Sequence, residues 1–203
     1  MPITIDGDGT ITGVSVGGLP DGIVDADMLA AGAVTAAKRG AGAILQVKQT
    51  HLTSTSSQSL SAKTKAEISG LSVDITPVSS TSDMLVFVRW NGETSTTTNY
   101  NVLYGLRRDS TDLGDPAASG NRPVGMAIVS QGFFAADAGS TPDSAYYSFL
   151  DTTRPSGTSQ ITYKATIQST PAQTLYNQRT VLSSNTDDYE LVTSNIMVME
   201  VAA

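Results

Sequence analysis

The sequence predicts an all-β fold: a jelly-roll-like β-sandwich carrying an extended N-terminal segment. Three observations point there. Short stretches of alternating apolar residues recur after residue 43, at the period of a half-buried strand. No stretch after that point keeps a helical period for three turns. Ser and Thr make up about a quarter of the 203 residues, with 18 Gly and 8 Pro, a mixture that suits strands and turns better than helices.

The elements follow in order. Ile3 and Ile5, then Ile11, then Val14 and Val16 alternate in short pieces, and Asp6-Gly7-Asp8-Gly9 is a turn signal between them. Residues 24–38 suit a short helix, capped by Asp25 or Asp27 and ended by Gly32. A composition shift falls near residue 42, and from Ala43 the signal is β. Ile44 to Leu52 is the first strand. Leu71, Val73 and Ile75 alternate up to Pro77. Met84-Leu85-Val86-Phe87-Val88 is continuously apolar, reads as a strand buried on both faces, and stops at the Asn91-Gly92 turn signal. Tyr100, Val102, Tyr104 and Leu106 alternate next. A long loop, Asp109 to Pro123, carries Gly114, Pro116 and Gly120. Val124, Met126 and Ile128 make another strand, Ala145 to Leu150 the next, and Ile161, Tyr163, Ala165 and Ile167 a further one before Pro171. Met197, Val198 and Met199 close the chain beside Ile196. About eight strands over this length fit a two-sheet sandwich, which buries roughly 70% of its unfolded surface.

Composition excludes several classes. There is no Cys, hence no disulfide framework, thiol nucleophile or zinc ribbon, and one His makes no His-rich metal centre. The longest large-apolar run, Met84 to Val88, is too short to span a bilayer, and the first residues lack the basic and apolar regions of a secretory signal. No membrane insertion is expected. The net charge is −7. Residues 1–37 hold Asp6, Asp8, Asp21, Asp25 and Asp27 and no Lys or Arg, so nucleic acid is repelled there, and the Arg107-Arg108 pair is too small to reverse this.

Motifs for chemistry lack their context. Gly13-Val14-Ser15-Val16-Gly17 matches a nucleophile elbow, and Asp21 and His51 follow in the usual order, but no strand–helix pattern surrounds it. Asp6-Gly7-Asp8-Gly9-Thr10 begins like a calcium loop, yet Ile11 stands where an EF-hand needs Gly and Gly17 where it needs Glu. Asp109, Asp112 and Asp115 share one loop and read as solvated carboxylates. No catalytic residue, metal ligand or cofactor is expected. Trp90, Tyr100 and Tyr104 are candidate receptor contacts, because aromatic faces stack on sugar rings; the alternative is a core role.

Gly42-Ala43-Ile44-Leu45-Gln46-Val47, Leu71-Ser72-Val73-Asp74-Ile75-Thr76-Pro77, Ser148-Phe149-Leu150-Asp151, Thr162-Tyr163-Lys164, Asn177-Gln178-Arg179 and the ending from Ile196 to Ala202 occur in that order. Together they resemble the tail-fibre-like virion proteins of marine and cyanobacterial tailed phages. Val24 to Ala30, with Gly32 to Lys38, is similar to shaft segments of phage fibres, here in one copy. The resemblance implies a homotrimer with a jelly-roll tip similar to the trimeric heads of the tumour necrosis factor-like class.

Elementary packing agrees with a multimeric leader. Residues 1–42 have too little apolar surface to offset their ordering entropy alone, whereas three chains about one axis bury Val24, Met28, Leu29 and Val34 against their copies. Ile3, Ile5, Val14 and Val16 are the candidates for docking on a tail adaptor, nozzle or other virion protein. The expectation is a non-enzymatic tail fibre of the virion, made in the host cytoplasm. Residues 1–42 attach and trimerise, and residues 43–203 meet a host surface glycan or protein. The alternatives are a head decoration or other virion fibre, and a glycan-active enzyme of the virion.

Overall fold

The computed structural model describes residues 4–5, 11–12, 29, 31, 33–35, 38–95, 101–129 and 139–203. The described residues form β-strands and no α-helix. Two compact units divide the chain, Met1–Arg39 and Gly40–Ala203.

In the first unit, β1 (Thr4–Ile5) and β2 (Ile11–Thr12) pair antiparallel, Thr4 opposite Thr12 and Ile5 opposite Ile11. The Asp-Gly-Asp-Gly signal lies between them. Of the stretch expected to be helical, Leu29, Ala31, residues 33–35 and Lys38 are described. Leu29, Ala31 and Val34 sit in turns and bends, and the Lys38 amide donates to the Thr35 carbonyl at 2.9 Å. The rest of that stretch lies outside the described residues.

The second unit holds two antiparallel sheets, the arrangement of a β-sandwich. In the larger sheet, β3 (Ile44–Leu52) pairs with β12 (Ser194–Val201), and β12 pairs with β6 (Asp83–Thr94). The other side of β6 carries β9 (Asp143–Asp151). Beyond the point where β12 begins, the end of β6 pairs with β11 (Gln173–Asn177), and β11 with β4 (Ser56–Leu60). The smaller sheet runs β5 (Lys65–Ile75), β10 (Ile161–Ser169), β7 (Val102–Arg108), β8 (Thr111–Leu113).

The core lies between the inner faces. Alternation delivers Met84, Val86, Val88 and Trp90 from β6, Ile196 and Val198 from β12, and Ala145 and Tyr147 from β9. The small sheet answers with Leu71, Val73 and Ile75, Tyr104 and Leu106, and Tyr163, Ala165 and Ile167. At the centre the Trp90 and Tyr104 rings lie 4.9 Å apart, tilted by 31°, a pairing that contributes about 1 kcal/mol beyond simple burial. The Trp90 indole Nε1–H donates to Asn177 Oδ1 at 2.7 Å, so the one polar atom of that ring is satisfied.

Four local expectations need correction. First, β6 does not stop at Asn91-Gly92 but continues to Thr94. Gly92 serves close approach: a Cβ there would lie 2.1 Å from the Tyr176 carbonyl oxygen and 2.8 Å from the Trp90 ring. Second, Val124, Met126 and Ile128 form no strand. Gly125 lets this segment lie close against β7, where a Cβ would meet the Tyr104 carbonyl oxygen at 3.0 Å, and the segment makes a single bridge between Ala127 and Tyr104. Third, β8 lies inside the expected long loop, and β4 and β11 carry too few apolar residues to show an alternation. Fourth, Met84 to Val88 is fully buried on one face only. Met84, Val86 and Val88 are 0–1% exposed, while Leu85 and Phe87 remain partly exposed on the other face.

Candidate functional site

The outer face of the small sheet is charged and cross-linked. Register places Lys164 beside Arg107 and Arg107 beside Asp112, while Thr166 lies between Glu67 and Gly105. Lys164 Nζ sits 3.0 Å from Glu67, and Arg107 Nε 2.8 Å from Asp112. Lys65 pairs with Asp112 at 3.4 Å and also with Asp115. Hydrogen bonding to Asp112 raises the Arg107 guanidinium further. Burial pushes the Asp112 carboxyl up, but Arg107 and Lys65 outweigh it and hold the group below the usual carboxylate range. The three loop carboxylates are therefore not free solvated groups but are taken up by partners within the fold. Asp112 and Asp115 face Lys65, and Asp109 Oδ1 accepts the Thr162 amide at 3.0 Å. Among the described residues no group of three His, Cys, Asp or Glu side chains could hold a metal ion.

Beside this network β4 of the larger sheet lies against β5 of the smaller. Between Ser72, opposite Lys164, and Glu67, opposite Thr166, β5 carries four residues where β10 carries only Ala165. This bulge, Ile68 to Leu71, turns at Gly70, whose φ of 77° suits glycine. Ile68 and Leu71 point into the core, while Ser69 and Gly70 are thrown outward. The result is a cleft of about 520 Å³ beside the edge strands β4 and β5, lined by Ser57, Gln58, Glu67, Ser69, Ser72 and Lys164 among others. Gln58 is fixed across the gap: its Nε2 donates to the Glu67 carbonyl at 2.7 Å, and its Oε1 accepts the Ser69 amide at 3.0 Å. Hydroxyls, an amide and one ion pair can exchange hydrogen bonds with a polar, hydroxyl-rich ligand.

Two buried carboxylates brace the sandwich, one in an ion pair and one held by neutral donors. Asp151, fully buried on β9, receives Arg108 Nη1 at 2.8 and 2.7 Å, the Tyr163 hydroxyl at 2.8 Å, and both the amide and the hydroxyl of Thr153 at 3.0 Å. Burial raises this carboxyl, and the donors from Tyr163, Arg108 and Thr153 more than reverse the effect, leaving it lowered. Glu200 is likewise fully buried and accepts the Val78 and Ser79 amides, the Ser82 hydroxyl at 2.6 Å and Gln46 Nε2 at 2.6 Å. Its carboxyl is also raised by burial and lowered by a larger sum of hydrogen bonds, Ser82 first. Arg154 Nη2 donates to the same Ser82 hydroxyl at 2.9 Å.

The expected site residues fall in different places. Trp90 and Tyr104 are 0% and 1% exposed, so neither can meet a receptor: both are central core residues, where an alternating strand places its inward side chains. Tyr100 lies outside the described residues. Leu29 and Val34 are 47% and 48% exposed, leaving apolar surface uncovered. Val24, Met28, Ile3, Val14 and Val16 lie outside the described residues, as do Ser15 and Asp21, and Ile5 is in β1. His51 is exposed on β3 and does not line the cleft. The cleft residues escape a sequence reading because Thr53 to Ser61 is nearly all hydroxyl-bearing and shows no period; a serine run before a strand is the one available signal. No family model and no curated protein matches the chain.

Proposed function

We propose that this chain is a non-enzymatic virion fibre protein of a tailed phage. It is a homotrimer that docks on the tail through residues 1–42 and presents residues 43–203, a jelly-roll tip, to the host cell surface. The observation that carries the reading is the polar cleft opened by the β5 bulge. A bulge that re-aims side chains at a sheet edge is characteristic of recognition. The cleft's hydroxyl and amide lining suits a surface glycan, and three weak sites on one trimer gain avidity on a repetitive surface. The exposed Leu29 and Val34 support the trimer, since identical neighbours are the natural cover for a thin leader. The ordered stretches that resemble tail-fibre-like proteins support the place in the virion.

The test uses phage particles carrying the full chain, a chain lacking residues 1–42, or a chain with Lys164→Ala and Gln58→Ala. The shortened chain is expected to fold and to be missing from particles. The cleft variant is expected to enter particles and to adsorb to host cells several-fold more slowly. Incorporation of the shortened chain overturns the division of labour, and unchanged adsorption overturns the cleft as the contact site.

A further inference from the structure

One long side chain bridges the outer face of the small sheet. Lys65 opens β5 at one edge, and Asp115 lies just past β8 at the other, with β10 and β7 between them. Lys65 Nζ is in direct contact with Asp115 Oδ2 and ends 4.0 Å from the point that a Gly105 Cβ would occupy. Glycine keeps this passage open. A Cβ there would lie 2.9 Å from Thr166 Oγ1 and 3.7 Å from Asp115 Oδ1.

Three features set this contact apart from an ordinary surface ion pair. The lysine and aspartate side chains are only 13% and 20% exposed, whereas those of Lys164 and Glu67 are 26% and 42% exposed. A second carboxylate stands by: Asp112 Oδ2 is 3.4 Å from the same Nζ, and Arg107 Nε holds its other oxygen at 2.8 Å. Two buried polar atoms flank the Gly105 gap without a hydrogen-bond partner, Asp115 Oδ1 and the hydroxyl of fully buried Thr166. A carboxylate with one oxygen buried and unpaired gains little from staying ionised.

We propose that Lys65 and Asp115 condense to an intramolecular isopeptide bond, a covalent staple across the outer face of the small sheet. The Lys65 amine, having passed a proton to Asp112, attacks Cγ of Asp115. The Nζ–Cγ bond forms and the Cγ–Oδ2 bond breaks. Oδ2 leaves as water with the two protons that the ammonium gives up, one of them relayed by Asp112. An ammonium and a carboxylate thus become a neutral amide and one water. The Thr166 hydroxyl shares the gap with Oδ1 and supplies a donor where negative charge develops. Groups held in contact react at effective concentrations of about 10⁵ M or more, and the product has no partly buried charges to keep solvated. The staple joins residues 50 apart in a chain that has no Cys for a disulfide. It stands independently of the role proposed above.

Intact-mass spectrometry on the purified full chain is the test. The wild type is expected to weigh one water less than its sequence, and a digest is expected to give a branched peptide joining Lys65 to Asp115. Lys65→Arg and Asp115→Ala should each keep the full mass of their sequences. Asp112→Ala should slow the reaction about a hundredfold, so that freshly purified chain still holds the water and loses it on incubation. The wild-type reading depends on no variant folding. A wild type that keeps its full mass after prolonged incubation at neutral pH overturns the staple. A water loss that persists in Lys65→Arg also overturns it, since an aspartate cyclised elsewhere in the chain loses the same mass. A branched peptide that forms as fast in Asp112→Ala supports the bond and overturns the relay.

Discussion

Replacing Asp151 by Asn tests whether a buried ionic knot holds the sandwich together. The side chain keeps its shape but loses its charge. Arg108, 8% exposed, then has no anion at 2.7 Å, and the Tyr163 hydroxyl and Thr153 amide lose a charged acceptor. Breaking a buried pair by removing one partner costs about 3–5 kcal/mol, mainly because the other charge is left uncompensated. With a urea slope of about 2 kcal/mol per molar, the unfolding midpoint should fall by roughly 2 M. The assay is equilibrium urea unfolding followed by the fluorescence of Trp90, the chain's only tryptophan. The companion variant, Asp151→Leu with Arg108→Met, removes both charges and should recover most of the loss. A midpoint shift under 0.5 M for Asp151→Asn, or a double variant no better than the single, would show that Arg108 does not depend on this carboxylate.

Other outcomes follow from the same contacts. Asp151 and Glu200 both have folded-state carboxyls lowered below their ordinary values. Their contribution is therefore fully present above the unfolded carboxylate range near pH 4 and fades as pH falls through the lower folded values; urea midpoints measured from pH 7 down to pH 2.5 should decline steeply only below about pH 4. Trp90→Phe leaves a cavity and an unpaired Asn177 oxygen, and should cost about 3 kcal/mol by the same unfolding assay, read by circular dichroism. Gly92→Ala puts a Cβ against the Tyr176 carbonyl, which is backbone and cannot rotate away, so a loss of about 3 kcal/mol is expected on thermal or urea unfolding. Lys164→Ala, by contrast, removes an exposed pair with Glu67 and should change stability by less than about 1 kcal/mol.

Much of the fold was legible because the strands that build the core alternate strongly. Ile161 to Ile167 and Leu71 to Ile75 read directly as strands, and both sit on the inner face of the small sheet. The pairing of β1 with β2 was legible from the Asp-Gly-Asp-Gly turn signal in the sequence between them. The strands that escaped, β4 and β11, take their place through backbone pairing at an edge, and Ser-Ser-Gln-Ser carries no period. Asn91-Gly92 misled because the same glycine that suits a turn also suits a tight crossing of two strands, and the partner, Tyr176, is 84 residues away.

The candidate site was barely legible. Trp90 and Tyr104 advertise themselves by type, but alternation decides which way they face, and both face inward. The cleft depends on a bulge that only the register of β5 against β10 reveals. Asp151, Arg108 and Tyr163 are distant in sequence, and no spacing announces that they meet. The double-sided apolar character of Met84 to Val88 was legible, and the single sandwich leaves it half-covered.

Electron microscopy of intact particles, with a tag at the C-terminus of this chain, shows directly where the chain sits. Three copies per fibre are expected, with the tagged β-domain at the far end from the tail and the leading residues against it. Tags lying over the capsid, or a solitary copy held to the particle by its sandwich, would contradict this placement.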